Sequence, residues 1–444
     1  MITHRHKTIL GDIPSDWHAM PLRELMAHQF SGDWGNEDGE VAVPVIRSTN
    51  FTNDGNLDFT NVATRFFPKD KAEQFGLQRG DLLIERSGGG PDQPVGRVAF
   101  INRDMPSTTV SNFVQVLRPD SEKINAKFLG WVLYELQRTG IIERVQQQST
   151  QMRNLNWREY QRILLPFPRL DEQNRIASAL IVADDAIIKA RMELDATQMV
   201  SRALMKDLFV NGIKRRSNAD RKESKLGCIP ESWQIKRVKE VLSEKAKNGY
   251  SPQSRPEPPG TKILNVSCIR NGKCDISKAS YVDVEKETIK SLQVNCGDFF
   301  VLRGNGNRDY IGIGGIVRDA ISEPMIYSDL LFRFRFKESE VEPLFMPYLW
   351  QTQAFLNRLQ VKAKSGSGLW KIGKRDIENE ILALPEKAEQ QEMVSELESA
   401  TMACNIALEK VDALIEVKKA LLQNLLTGTI RIPADAELPF GGAS

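Results

Sequence analysis

Two pairs of polar loops carry the side chains best suited to chemistry in this 444-residue chain. One pair is Arg86-Ser87-Gly88-Gly89-Gly90 and Arg303-Gly304-Asn305-Gly306-Asn307-Arg308; the other is Gln147-Gln148-Ser149-Thr150-Gln151 and Lys364-Ser365-Gly366-Ser367-Gly368. Glycine lets a backbone approach a phosphate, serine and threonine donate to it, and Arg, Asn and Gln can pair with guanine or adenine edges. Alone, each loop reads more readily as a surface turn. The two members of each pair stand 217 residues apart, however, and matched positions hold different residues. That pattern points to two related surfaces for two different stretches of nucleic acid.

Other chemistry is largely excluded. Gly304-Asn305-Gly306-Asn307 and Gly312-Ile313-Gly314-Gly315 look like phosphate-cradling loops, but neither completes G-x-G-x-x-G before a helix or G-x-x-x-x-G-K-[ST]. The one Pro-Pro, Pro258-Pro259, lies in a Pro-rich loop and not in an amino-methyltransferase motif, and no G-x-S-x-G elbow or H-E-x-x-H pair occurs. Cys228, Cys268, Cys274, Cys296 and Cys404 make no C-x-x-C pair, which fits reduced thiols and argues against disulfides or structural zinc. His4, His6, His18 and His28 cluster near the start, with His4 and His6 read as part of a disordered tail. No catalytic residue and no metal is expected.

The loops must be positioned by a duplicated scaffold. Leu10-Gly11-x-Ile13-Pro14-x-x-Trp17 returns as Leu226-Gly227-x-Ile229-Pro230-x-x-Trp233, and Gly80-Asp81 returns as Gly297-Asp298. The offset holds to Glu172-Gln173 and Glu389-Gln390, far beyond the length of a solenoid repeat. Short runs such as 41–46, 81–84, 95–100 and 113–117 read as strands, with helices over 126–138 and 343–358, so each globule is α+β.

A helical segment follows each globule. Ile176, Leu180, Ala183, Ile187, Ala190, Leu194, Thr197, Ser201, Leu204 and Leu208 alternate steps of four and three, the seam of a coiled coil. Met393, Leu397, Ala400, Cys404, Ala407, Val411, Leu414, Lys418, Leu421 and Leu425 repeat it, apolar at all but one position. Forty residues span about 60 Å, and antiparallel pairing is expected because the second helix must return. The expected division is 1–170 globule, 171–212 helix, 213–225 basic linker, 226–387 globule, 388–428 helix and 429–444 tail.

Charge is distributed unevenly. The sum is only +2, but 211–225 carries six Lys or Arg against two acids, and 226–387 has 25 against 20. Excess positive charge therefore lies in the second globule and the linker, and the helices are spacers if nucleic acid is the partner. No apolar run approaches the ~20 residues needed to cross a bilayer, and no leader follows Met1, so a cytoplasmic location is expected.

These motifs, in this order and twice over, resemble the specificity subunits of type I restriction-modification systems. The resemblance rests on the opening motif and its copy, Gly80-Asp81-Leu82-Leu83 with Gly297-Asp298-Phe299-Phe300, the Leu165, Pro168, Glu172, Gln173 and Leu382, Pro385, Glu389, Gln390 sets, and Leu425-Leu426-Thr427-Gly428. It covers nearly the whole chain. It implies two target-recognition globules reading a bipartite double-stranded DNA target, with the antiparallel helices of an intramolecular coiled coil setting the unread gap. It also implies two methyltransferase subunits and two ATP-driven restriction subunits as partners, with S-adenosylmethionine, Mg2+ and ATP bound by those partners and not by this chain. Under that reading the DNA-facing residues are Arg86, Ser87, Gly88, Arg97, Gln148, Ser149 and Thr150 in the first globule. In the second they are Arg303, Asn305, Asn307, Arg308, Lys364, Ser365 and Ser367. The alternatives are a coiled-coil scaffold that holds two protein partners apart without reading DNA, and a self-contained modification enzyme.

Overall fold

The structure, a computed structural model, describes residues 6–89, 95–148, 153–213, 220–251, 253–366 and 368–436. The chain forms two compact units, Met1–Arg191 with Glu409–Ser444, and Met192–Leu408. These boundaries cut through both long helices, so each unit consists of one globule and half of each helix.

In the first unit, a four-stranded antiparallel sheet runs in the order 98–100, 82–85, 114–119, 26–31. Its strand Leu82–Glu85 is buried at every position, as expected of a central strand covered on both faces. A second sheet joins 109–110, 41–46 and 63–67. Helix α1, Ala126–Arg138, is capped by the Asn125 side chain, which accepts from the Phe128 N–H at 2.9 Å. It buries Phe128, Leu129, Val132, Leu133 and Leu136 against the sheet. Helix α2 spans Leu170–Asn211.

The second unit repeats this plan. Its strands 247–248, 331–334, 299–302 and 314–316 are extended by the hairpin 269–270 and 272–274 into a six-stranded sheet. The helix expected over 343–358 is split into α3, Phe345–Gln351, and α4, Gln353–Val361. The break falls at Thr352, whose backbone is extended (φ −66°, ψ 133°) and whose hydroxyl donates to the Leu349 carbonyl at 2.7 Å, competing with the helix ladder. Helix α5 spans Lys387–Leu425.

The Glu-Gln pairs at the start of α2 and α5 explain why that motif is duplicated. Gln173 donates to the Pro168 carbonyl at 2.9 Å and accepts from the Asn125 N–H at 2.8 Å; Gln390 donates to Pro385 at 2.9 Å and accepts from the Glu342 N–H at 2.9 Å. Glu172 accepts from the Trp17 indole at 3.1 Å, and Glu389 from Trp233 at 3.2 Å. Both tryptophans are about fully buried, at 1% exposure. Each long helix is thus fastened to its own globule by one indole and one amide, which satisfies polar atoms that burial would otherwise penalise. Gly212 and Gly428 close the two helices at φ +70° and +67°, the left-handed cap that Asn211-Gly212 and Thr427-Gly428 predict.

The expected seam is the buried stripe. Ile176, Leu180, Ile187, Ala190, Leu208, Met393, Leu397, Ala407, Val411 and Leu425 are buried, and Ala183, Leu194, Leu204, Leu414 and Leu421 are partly so. Within each unit the helix halves pair antiparallel. In the first, Glu172 meets Arg431 and Asp184 meets Lys418, with Ile176 and Leu180 in one cluster with Leu422 and Leu425. In the second, Leu208 clusters with Met393 and Leu397. Lys418, the one polar seam position of the second helix, is buried because its ammonium reaches Asp184 at 2.5 Å and lies 4.3 Å from the centre of the Trp131 ring.

One expectation at the chain's margins changes, and two segments gain structure. His6 lies in strand His6–Thr8, paired with Gly11–Ile13, and not in a disordered tail; His4 lies outside the described residues. Residues 221–224 of the basic linker form a strand paired with 227–230, the copy of that hairpin. The tail folds back, with Arg431 forking onto Asp16 at 3.1 and 3.0 Å and reaching Glu172 at 2.7 Å.

Candidate nucleic-acid interface

The paired polar loops come together in each unit as a small antiparallel sheet. In the first unit the order is 146–148, 153–155, 87–89; in the second it is 364–366, 369–371, 304–305. Both are hung on the core by the same two bonds. The Arg86 N–H donates to Phe113 at 2.7 Å and the Leu155 N–H to Arg86 at 2.8 Å; Arg303 donates to Leu330 at 2.9 Å and Ile372 to Arg303 at 2.8 Å. Leu155 and Ile372, at 5% and 2% exposure, pin the sheets to the interior, so their outer strands project from a rigid base.

In the first unit, the Arg86 guanidinium donates to Gln115 at 3.1 Å and Ser31 at 3.3 Å and stacks over Trp157 at 5.5 Å. Burial pulls its pKa below the ordinary arginine value. The remaining N–H groups keep a preset direction, which lowers the entropy lost on binding a base or phosphate. Gly88 sits at φ +116° beside Ser48, whose hydroxyl holds the Ser87 carbonyl at 3.2 Å; a side chain at Gly88 would be strained. The backbone of Gln148 pairs with Arg153, while its side chain and all of Ser149 and Thr150 lie outside the described residues.

Arg97 does not belong to this face. It forks onto Glu85 at 2.9 and 2.8 Å and donates to the Phe51 and Ser48 carbonyls at 2.7 and 2.9 Å, at 8% exposure. An arginine with its donors spent on a buried carboxylate and two carbonyls is a structural strut and reads no base.

In the second unit, Arg303 donates to the Asp329 carbonyl at 3.4 Å, and its buried Nε has no partner. Arg308 stacks over Trp370 at 5.1 Å and donates to the Gln360 carbonyl at 3.3 and 3.2 Å. Asn305 and Asn307 accept from the Asn307 and Asp309 N–H groups, each at 2.9 Å. These turns occupy their amide oxygens and leave the NH2 groups as the outward donors, which suits phosphate or guanine acceptors better than bidentate adenine pairing. Lys364 and Ser365 are exposed, and Ser367 lies outside the described residues.

Lys371 belongs with this set and escaped the loop pattern, because it sits on the strand after the turn. It is exposed and directly opposite Lys364. Neither has an ion-pair partner among the described residues. Like charges facing across a ladder destabilise it by roughly 0.2–1 kcal/mol, so the pair is at odds with folding alone and suits an anion. Arg153, partly buried with an unpartnered Nε, is the corresponding addition in the first unit.

The chain matches the protein family described as type I restriction modification DNA specificity domain at residues 14–194 and again at 230–419. It is 24% identical over 427 residues to the type I restriction enzyme MjaVIII specificity subunit of Methanocaldococcus jannaschii, covering 95% of this chain and 94% of that one. It is also 24% identical over 433 residues to the type I restriction enzyme EcoKI specificity subunit of Escherichia coli, covering 95% and 90%. Among solved structures, a chain from work on complex assembly and conformational transition of the type I R-M system superposes with a TM-score of 0.61 at 15% identity, covering 94% of this chain and 99% of that one. The type I restriction-modification S subunit from M. genitalium gives 0.51 at 13% identity, covering 92% and 96%. At these identities the structural matches speak to the fold.

Proposed function

The chain belongs to the type I restriction modification DNA specificity family, and from that premise we propose that it reads a two-part DNA target, one part with each unit. The observation that carries this reading is the pair of equivalent three-stranded sheets, fastened to the core by the same bonds but tipped with different polar residues. A shared scaffold fixes approach and register, while unlike tips give unlike half-sites.

The chain supplies recognition and assembly and leaves catalysis to its partners, two methyltransferase and two restriction subunits, which bind S-adenosylmethionine, Mg2+ and ATP. Met192, Met199, Val200, Met402 and Ile406 support docking, since all are more than half exposed on the helical part of the second unit. Apolar side chains at that density on a helix surface suit another protein's helices.

The test is a genome-wide map of N6-methyladenine in cells with the gene intact and deleted. Loss of methylation at one motif of two short parts around a fixed gap is the expected result. An unchanged map would contradict the proposal.

A further inference from the structure

The second unit contains a cleft of about 460 Å³ between its helical pair and the 269–274 hairpin. Comparison with the matched positions of the first unit shows how it opens. There, Lys418 and Asp184 form an ion pair beneath Trp131 and Tyr134, and Arg191 lies 3.9 Å from Asp54 on the matched hairpin. At the same places, 217 residues away, the second unit has Ser201, Thr401, Tyr348, Gln351, Leu408 and Asn271. The ion pair that fills the space is replaced by two short hydroxyl side chains, and a tyrosine by a glutamine.

The rim changes in charge as well. Asn53, Asn56 and Asn61 of the first unit correspond to Arg270, Lys273 and Lys278. Lys419, paired with Glu416 at 2.5 Å, corresponds to Arg202, which is unpaired. Arg202, Arg270 and Lys273 have no hydrogen-bond or ion-pair partner among the described residues. The carboxylates nearby are already engaged: Asp275 pairs with Lys278 at 3.3 Å, and Glu398 is forked by Arg318 at 2.9 and 3.0 Å and bound by the Tyr348 hydroxyl. The opening is thus rimmed by cations without a hydrogen-bonded or ion-paired partner among the described residues, Lys273 acting on Glu398 only at longer range. On its floor the Thr401 and Tyr348 hydroxyls and the Gln351 amide already donate to Leu397, Glu398 and Pro347, so the cations are the groups left to hold phosphate oxygens.

We propose that this cleft grips backbone phosphates of bound DNA, a sequence-independent hold in the second unit that the first unit lacks. The proposal rests on the DNA-reading function above. A cluster of unpaired cations is unfavourable in the free protein and is relieved when a polyanion releases its counterions there.

The test uses the full chain in its methyltransferase complex, comparing wild type with Arg202→Gln, Arg270→Gln, Lys273→Gln and the triple variant. Affinity for a target duplex and for a scrambled duplex is measured from 50 to 200 mM salt. Each lost phosphate contact should flatten the log–log salt slope by about 0.9, so the triple variant's fall in affinity over that range should shrink by a factor of about 40. Both duplexes should weaken equally at low salt, and the methylated motif should stay the same. A slope unchanged in the triple variant, with a wild type that binds its target, would overturn the proposal alone, whereas a wild-type complex that binds no DNA would overturn the functional reading and this proposal with it. A fluorescent nucleoside triphosphate bound by wild type and lost in the triple variant, with the DNA salt slope unchanged, would assign the cleft to a free nucleotide and also reject the proposal.

Discussion

The two units share their fastenings and differ in their interior charges. Trp17 with Glu172 and Trp233 with Glu389 superimpose as a bonding pattern, as do Asp81 with Arg118 and Asp298 with Arg335. By contrast, the buried pair Glu85 and Arg97 corresponds to Leu302 and Gly314, and Lys418 with Asp184 corresponds to Ser201 with Thr401. Groups that fasten where a helix or strand begins are the same in both units. Interior ion pairs can be exchanged for apolar or small residues as a set, because a buried pair is replaceable in both members but not in one.

The largest effect should come from breaking such a pair on one side. Glu85→Ala leaves the Arg97 guanidinium buried without its carboxylate and should cost about 3–5 kcal/mol, read from urea unfolding of the first unit. The double variant Glu85→Leu with Arg97→Leu, closer to the second unit's apolar solution, should recover most of that loss. Equal destabilisation by single and double variants would refute the exchange argument.

The two indole fastenings should differ in depth. Glu172 also receives Arg431, whereas Glu389 accepts from Trp233 and a long bond from the Ile213 N–H at 3.4 Å. Glu172→Ala is therefore expected to cost about 2–3 kcal/mol and Glu389→Ala about 1–2 kcal/mol. Thermal melting of the two variants checks the order, and the reverse order would mean that the Arg431 clasp contributes little.

On the second unit's sheet, stability and binding should move in opposite directions. Lys364→Gln with Lys371→Gln removes a facing like-charge pair and should raise stability by a few tenths of a kcal/mol. The same variant should weaken DNA binding for every sequence, as loss of phosphate contacts does. Melting and salt-dependent binding on one preparation decide it; a stability gain without a binding loss would remove these lysines from the interface.

The smallest effect concerns pH. Burial raises the Asp184 carboxyl above its ordinary 3.8, against the pull of Lys418. Between that value and the raised one the folded state holds the extra proton, so this group's contribution to stability falls as pH rises through the window. Asp184→Asn should remove that part of the pH slope of the urea midpoint. A slope unchanged by the substitution would show that the carboxyl does not titrate in this way.

Periodicity and duplication made the long helices and their seam legible, down to Lys418 as the single polar member of the second helix's seam, though not the ion pair and ring that make it tolerable there. The break at Thr352 was not legible, because a hydroxyl bonding back to Leu349 leaves the apolar spacing intact. Arg97 reads as a DNA-facing arginine because sequence does not reveal a Glu85 carboxylate twelve residues earlier on the neighbouring strand. Lys371 was missed for the opposite reason: only strand register places it across from Lys364. The loops themselves were found by recurrence, but their assembly into one sheet per unit depends on pairing between positions 64–67 residues apart, which no local pattern records.

The most direct test of one unit reading one part of the target is a pair of methylation maps, one for Arg86→Ala and one for Arg303→Ala. Loss of a base-reading arginine costs about 1–3 kcal/mol at one position. The maps should therefore show one relaxed position in one half of the motif for the first variant, and one relaxed position in the other half for the second, with the gap unchanged. Relaxation of the same half by both variants, or of neither half by either, would contradict the account.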